Sequence, residues 1–285
     1  MSSNSEKVRE ALERIDRGLE DISKNDEWGK FLRFQAAFHR YSARNAILIY
    51  TQRPDATYVK GYRAWNSLNR YVRRGARAIG IIAPCFKKKS DDEADGGEDQ
   101  RMISGFRMAR VFDISDTESF DGSDGGLPVL VRGLPGGSFS DRGLYGKLRA
   151  LVERTCHVEE TKEGPKGSFS LESGAISVCG RLEPRQKVKT LLHEYAHAMD
   201  YKRNPGGTLS RNRRELVAES VAYVVCSWLG IDTSEYSFGY LKTWDDGKDT
   251  LKTASDAIQK ISMEIIAALE GTADGILSGT RDDAA

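Results

Sequence analysis

The chain has 285 residues, room for one or two domains with a sizeable core, and its 43 Lys+Arg against 42 Asp+Glu leave a formal net charge of +1. Hydrophobic content of 39% fits a folded globular protein, and no run approaches the roughly 18 apolar residues of a membrane span. The start, MSSNSEKVREALERID, has no apolar signal core, and Cys85, Cys156, Cys179 and Cys226 lack CxxC spacing, so the expectation is a cytoplasmic protein with reduced thiols, neither membrane-bound nor disulfide-stapled.

In chain order, EKVREALERIDRGLEDIS predicts an amphipathic helix with Val8, Leu12, Ile15 and Leu19 on one stripe. EWGKFLRFQAAFHRYS and RNAILIYTQ predict two more helices. After the RPDAT break, YVKGYRAWNSLNRYV is a compact mixed segment, and AIGIIAP reads as a buried strand behind a basic Gly turn. KKKSDDEADGGEDQR, with six acids between Asp91 and Asp99, reads as a mobile acidic loop over about 88–100. FRMARVFDIS resumes as a strand expected beside AIGIIAP. A Gly-rich linker is expected over 119–140, on the signal of DGSDGG and GLPGG.

The second half predicts a helix at RGLYGKLRALVERTC, short strands in HVEET and SFSLESGAISV, and a helix from Pro184 through EPRQKVKTLLHEYAHAMDY. A helix at RNRRELVAESVAYVVCSWLG, stopped at Gly230, and a pair within 234–270 complete the chain. The expected fold class is α+β in two domains, 1–118 and 141–285, with no internal repeat.

The chemistry concentrates in TLLHEYAHAMD. Residues four apart share a helix face, so His193 and His197 can meet one cation, and Glu194 points to the side where it can serve as a base. Positions 190–199 are otherwise uncharged, as a buried active-site helix requires. Zinc chemistry needs a third protein ligand and an open position. HExxHxxGxxH fails, because Asp200 stands at the glycine and Arg203 at the last histidine, and His39 and His157 have no ligand-like setting. ELVAE on the next helix supplies two carboxylates on one apolar face, where desolvation demands a partner. Glu215 as ligand with Glu219 orienting a histidine is the preferred assignment; the two swap roles in the alternative. Pairing of both with Arg211, Arg213 or Arg214 is the purely structural alternative. Zn2+ is the expected cofactor, with other divalent transition metals open, and Tyr201 and Tyr223 are the candidate oxyanion donors.

The neutral average hides an asymmetry. From Phe31 to Lys89 there are thirteen basic residues and one acid, Asp55, with tyrosines and Trp65 interleaved. One-signed charge of this kind implies a polyanion, and aromatic faces among basic groups suit single-stranded nucleic acid. The candidate contacts are Arg40, Tyr41, Arg44, Asn45, Lys60, Trp65, Arg70, Arg73, Arg74 and Arg77, with Trp65 and Tyr41 individually favouring the core.

The stretch RYSARNAILIYTQRPDATYVKGYRAWNSLNRYVRRGARAIGIIAP resembles the N-terminal single-stranded-DNA-binding domain of ArdC-type antirestriction proteins: a YSxxN helix, a Q-x-P-x-A-T turn, and a basic Gly turn leading into I-x-I-x-A-P. MARVFDISDTES is similar to that family's V-F-D-x-x-Q-T-E-G strand, with Asp116 for the glutamine and Ser119 for the glycine. HEYAHAMD, RRELVAESVAYVVCSWLGI and FGYLKTW resemble its zincin-like metallopeptidase domain and, more loosely, the ImmA/IrrE peptidases. The resemblance implies binding of single-stranded DNA and protection of incoming DNA of a mobile element from restriction. It also implies metal-site roles for His193, Glu194, His197 and Glu215.

Three functions follow as expectations: a gluzincin-like metalloendopeptidase that cleaves DNA-associated protein, a non-proteolytic DNA protector with an idle or structural metal site, and a repressor-cleaving peptidase of ImmA/IrrE type. The expected partners are single-stranded DNA and a protein substrate or restriction system, with no membrane; the sequence sets no oligomeric state.

Overall fold

The computed structural model describes residues 3–24, 27–88, 101–122, 141–205, 209–231, 238 and 248–271. The expected acidic loop from residue 89, the Gly-rich linker from residue 123, and FGYLKTW apart from Phe238 lie outside the described residues. The mixed α+β class is as the sequence predicts, and the described residues divide into two compact units.

The first unit takes the described residues up to Gly18 and from Arg44 to Gly122. Helix α1 (Asn4–Lys24) starts it, and its buried stripe is Ala11, Ile15, Leu19 and Ile22. Leu12, expected on that stripe, is 39% exposed, because the 3.6-residue repeat centres the face one position earlier. Helix α3 (Ala43–Gln52) buries Ala46 through Tyr50. Strand β1 (Val59–Gly61), helix α4 (Tyr62–Ser67) and strand β2 (Arg70–Val72) follow. Strands β3 (Ile79–Lys88) and β4 (Arg101–Asp113) pair antiparallel, as expected of AIGIIAP and FRMARVFDIS. The sheet order is β1-β4-β3, and Ile79, Ile81, Ala83, Ala109 and Val111 form its buried face. Strand β5 (Thr117–Ser119) pairs with β2.

Both long strands have an open flank, and side-chain amides close part of each. Asn45 donates to Ile82 O and accepts from Ile82 N, both at 2.9 Å, and Gln52 does the same for Gly80 at 2.9 Å. Asn4 donates to Phe106 O at 3.0 Å and accepts from Met108 N at 3.4 Å on β4. Each amide stands in for a missing strand residue, satisfying backbone groups that an edge otherwise presents.

The second unit takes Leu19 to Ala43 together with the described residues from Asp141 onward. This differs from the expected boundary at 118. Helix α2 (Trp28–Ala37) buries Trp28, Phe31, Leu32 and Phe34, an apolar face with its complement on the equally apolar helix α7 (Arg211–Trp228). Trp28 Nε1 donates to Ser220 Oγ at 3.1 Å, which satisfies the indole at the centre of that contact.

Around this pair stand α5 (Asp141–Val152), α6 (Pro184–Arg203) and α8 (Lys248–Glu270). Strands β6 (Val158–Thr161), β7 (Gly167–Phe169) and β8 (Ile176–Cys179) make a small sheet in the order β6-β8-β7, parallel between β6 and β8 and antiparallel between β7 and β8. The sheet packs on α6 through β7 and β8, which places an edge strand against the helix carrying HEYAH. Among the described residues no helix is long and apolar enough to cross a membrane.

Candidate metal centre

Helix α6 begins with Pro184 in its first turn, where a missing N–H costs nothing, and runs unbroken through both histidines. The four-residue spacing sets His193 and His197 edge to face, ring centroids 4.7 Å apart and Nε2 atoms 3.1 Å apart. Helix α7 starts at Ser210, whose hydroxyl accepts from Arg213 N at 3.2 Å, and projects Glu215 toward the pair one turn in. Glu215 Oε2 lies 3.5 Å from His193 Nε2 and 3.7 Å from His197 Nε2.

Among the described residues, His193, His197 and Glu215 form a group whose ligand atoms all lie within 4.8 Å of one another. Two imidazoles and one carboxylate converging from two rigid helices fit a divalent cation with a position left open. Glu219 is outside this group, and its charge acts on His193 from the side.

The electrostatics agree with the geometry. Hydrogen bonds from His193 and then His197 hold the Glu215 carboxyl well below the usual carboxylate range. Burial pushes His193 down, but the bond to Glu215 and the charges of Glu194, Glu215 and Glu219 outweigh it and raise its pKa.

Glu194 is 9% exposed, and burial, reinforced by Glu215, raises its pKa against the opposing pull of His193 and His197. Its carboxylate accepts from the backbone N–H of Phe169 on β7. Only a glycine fits beside it: a Cβ on Gly167 would stand 2.4 Å from Thr190 Cγ2 and 2.9 Å from Glu194 Oε1. The edge strand and α6 therefore approach as closely as backbone permits, with the Glu194 carboxyl at their contact.

Arg213 does not reach Glu215 or Glu219. Its Nη1 bonds Asp200 Oδ2 at 2.5 Å, with both side chains almost wholly buried. Sequence reasoning missed this pair; the available signal was an acid three residues past His197 on the helix that carries the motif. Of the two oxyanion candidates, Tyr201 is 36% exposed and its ring packs on Phe169, whereas Tyr223 is buried and accepts from Arg33 Nη2 at 3.4 Å. His39 is half-buried, desolvation lowers its pKa, its Nδ1 meets Ala36 O, and it lies outside the His193–His197–Glu215 group.

The predicted DNA-contacting residues separate into braces and surface groups. Trp65 is fully buried and donates to Phe112 O at 3.0 Å, so it is core. Asn45 is committed to β3, and Arg70, 8% exposed, donates to Thr117 Oγ1 at 2.8 Å and Thr117 O at 3.1 Å. These three are therefore structural, because each donor is already spent on a backbone or core partner. Arg40 and Tyr41 fall in the second unit, Arg40 paired with Glu270 at 3.3 Å and Tyr41 tilted on Phe38. Arg44, Arg73, Arg74 and Arg77 are exposed, and Lys60 lies 5.4 Å from the Tyr58 ring centroid. Asp116, the residue that departs from the family turn, bonds Arg53.

A family model described as the N-terminal domain of anti-restriction factor ArdC matches residues 5–112. The uncharacterized protein pXO2-81 of Bacillus anthracis is 22% identical over 303 residues, covering 90% of this chain and 50% of its own length, so the chain spans about half of that relative. The Mn(II)-bound structure of antirestriction protein ArdC from plasmid R388 matches at a TM-score of 0.52 and 16% identity, over 95% of this chain and 98% of that one. The metal-free structure matches at 0.47 and 18%, over 84% and 85%. Residues 5–112 thus match an ArdC N-terminal domain, and the chain shares its fold with the R388 protein over 95% of its length.

Proposed function

We propose that the chain is a single-stranded-DNA-binding metallopeptidase that acts on DNA-associated protein and serves antirestriction. The observation that carries this reading is the convergence of His193, His197 and Glu215 with Glu194 buried beside them. A site built only to hold a metal needs the three ligands and has no use for the fourth residue. The R388 relative is described as an antirestriction protein with a Mn(II)-bound form, which favours a divalent metal and the same biological role here. Zinc suits the two-histidine, one-carboxylate set best.

The three ligand side chains would hold the cation, which when bound supplies Lewis acidity toward a carbonyl and toward water. The remaining work falls to this chain's own groups. Glu194, buried and with a raised pKa, is placed to accept a proton and return it to a leaving amine. The N–H of Phe169 fixes which way its carboxyl faces. Strand β7, at the sheet edge, offers backbone groups to an extended peptide, which would then run past Glu194. The first unit would bring the peptidase to its substrate through exposed basic groups such as Arg44, Arg74 and Arg77.

The test compares wild type with Glu194→Gln on a DNA-binding protein, with and without single-stranded DNA. Cleavage stimulated by DNA and lost in the variant, with metal binding intact, is the expected result. Equal cleavage by both would remove Glu194 from the chemistry, and cleavage by neither would leave a DNA protector without proteolysis.

A further inference from the structure

The sheet β1-β4-β3 buries one face, and strand alternation places Gly80, Ile82, Pro84, Met108, Arg110 and Phe112 on the other. On that same face Phe106 stands opposite Pro84 and, beyond the register shift at Cys85 and Phe86, Phe86 stands opposite Ile103. None of these residues is buried: Phe86 is 41% exposed, Phe106 54% and Ile103 59%. Met108 reaches across the face to Gly80, where an added Cβ would stand 3.2 Å from its Cε. A contiguous apolar surface left open in this way marks a binding site.

We propose that the unpaired bases of single-stranded DNA lie on this open face, an inference that rests on the DNA-binding reading above and names the site responsible. The sheet edges beside it are closed to strand addition. Gln52 and Asn45 hold the outward backbone groups of Gly80 and Ile82, and Pro84, next in that row, has no N–H to offer. Asn4 takes those of Phe106 and Met108 on β4. An extended peptide finds no free ladder at these positions, so a ligand is left with the face.

Charge selects the sign of that ligand. The three strands carry six basic residues, Lys60, Lys87, Lys88, Arg101, Arg107 and Arg110, and one acid, Asp113. Asp113 is buried and bonded to the N–H groups of Thr57, Tyr58 and Ser115. A second copy of the chain would set like charge against like, whereas a polyanion meets the opposite sign. Arg110 is exposed on the open face itself and has no hydrogen bond or ion pair among the described residues.

The rings select unpaired bases among polyanions. Phosphates gain nothing from an apolar surface, but every base has a π-face that stacks on an aromatic ring. Phe86 and Phe106 offer two exposed rings, and half-buried Phe112 lies further along the Phe106 row. Arg110 stands between Phe106 and Phe112 in that row, a cation for the phosphates that link the bases. In a duplex the base faces cover one another and cannot reach these rings.

The test measures binding of labelled oligothymidylate to the full chain by fluorescence anisotropy over a salt series. Phe86→Ala/Phe106→Ala should bind about tenfold or more weakly with the salt slope unchanged. Arg110→Gln should lower the slope by about 0.7, the value of one phosphate contact on a single strand. Phe106→Leu keeps the apolar area and removes the π-face, so it should also weaken binding. Phe120→Ala, which removes an exposed ring outside this face, should not. Circular-dichroism melts check that each variant is folded, and Phe106→Leu is the mild substitute should the double variant not be.

Binding unchanged in Phe86→Ala/Phe106→Ala overturns the platform while leaving the DNA-binding reading intact. A wild type that binds no oligothymidylate overturns both. Phe106→Leu binding as wild type does overturns stacking as the contact. Duplex DNA or polyglutamate displacing the label as well as unlabelled oligothymidylate overturns the commitment to unpaired bases. A wild-type dimer in sedimentation that becomes a monomer in Phe86→Ala/Phe106→Ala overturns it in favour of a second copy.

Discussion

Asp200 on α6 and Arg213 on α7 meet at 2.5 Å with side-chain exposures of 4% and 3%. Asp200 lies three residues past His197 and Arg213 two before Glu215, so the pair ties together the two helix segments that present the candidate metal ligands. An ion pair this dry contributes little net energy against an apolar pair, but losing one member strands a buried charge.

Arg213→Ala should therefore cost roughly 3–5 kcal/mol in denaturant unfolding. The double variant Asp200→Leu/Arg213→Met should recover most of that loss. A single variant as stable as wild type would show that the pair carries no such constraint.

The choice of third ligand is decided by metal titration. Calorimetry with Mn(II) and with Zn(II) should show Glu215→Ala weakening binding by far more than Glu219→Ala, for which a loss of about tenfold to 100-fold is the expected ceiling of a residue acting through a ligand. The opposite order would exchange their roles. Metal at about 100 times its dissociation constant should add about 2.7 kcal/mol to the stability of wild type, and chelator should remove it.

A pH dependence follows from Asp113. Burial raises its pKa, but bonds from Ser115 Oγ and from the N–H groups of Ser115, Thr57 and Tyr58 outweigh it and hold the carboxyl below its ordinary 3.8. A depressed folded pKa means a contribution present above 3.8 and lost as pH falls through the folded value beneath it. Wild type should thus exceed Asp113→Asn in stability at neutral pH, with the gap closing in strong acid. Melting curves over a pH series read this directly, and a gap constant with pH would remove the carboxylate's charge as its cause.

Much of the site was legible because helical periodicity is a local property. HEYAH on a predicted helix places two imidazoles on one face by spacing alone. The two glutamates on the apolar run of α7 announce a partner through their desolvation. The pairing of AIGIIAP with FRMARVFDIS was likewise readable from two apolar β-rich runs separated by a polar break.

Other assignments failed for one shared reason: the sequence shows which polar groups exist but not which neighbours satisfy them. Asn45 and Arg70 looked like DNA ligands, and only the tertiary structure reveals the β3 backbone and Thr117 consuming their donors. Arg213, one of the three arginines that the structural alternative set against Glu215 and Glu219, turns inward to Asp200 instead.

The sequence by itself determined the α+β class, the helix carrying the candidate metal site and the basic character of the N-terminal region, since each depends on residue type and short spacing. Tertiary structure alone decided that α2 joins the unit carrying the candidate metal site and that Glu215 rather than Glu219 comes within reach of both histidines. These are contacts between segments distant in the chain. Their geometry is set by how apolar faces pack and how strand edges find hydrogen-bond partners, which no local pattern encodes.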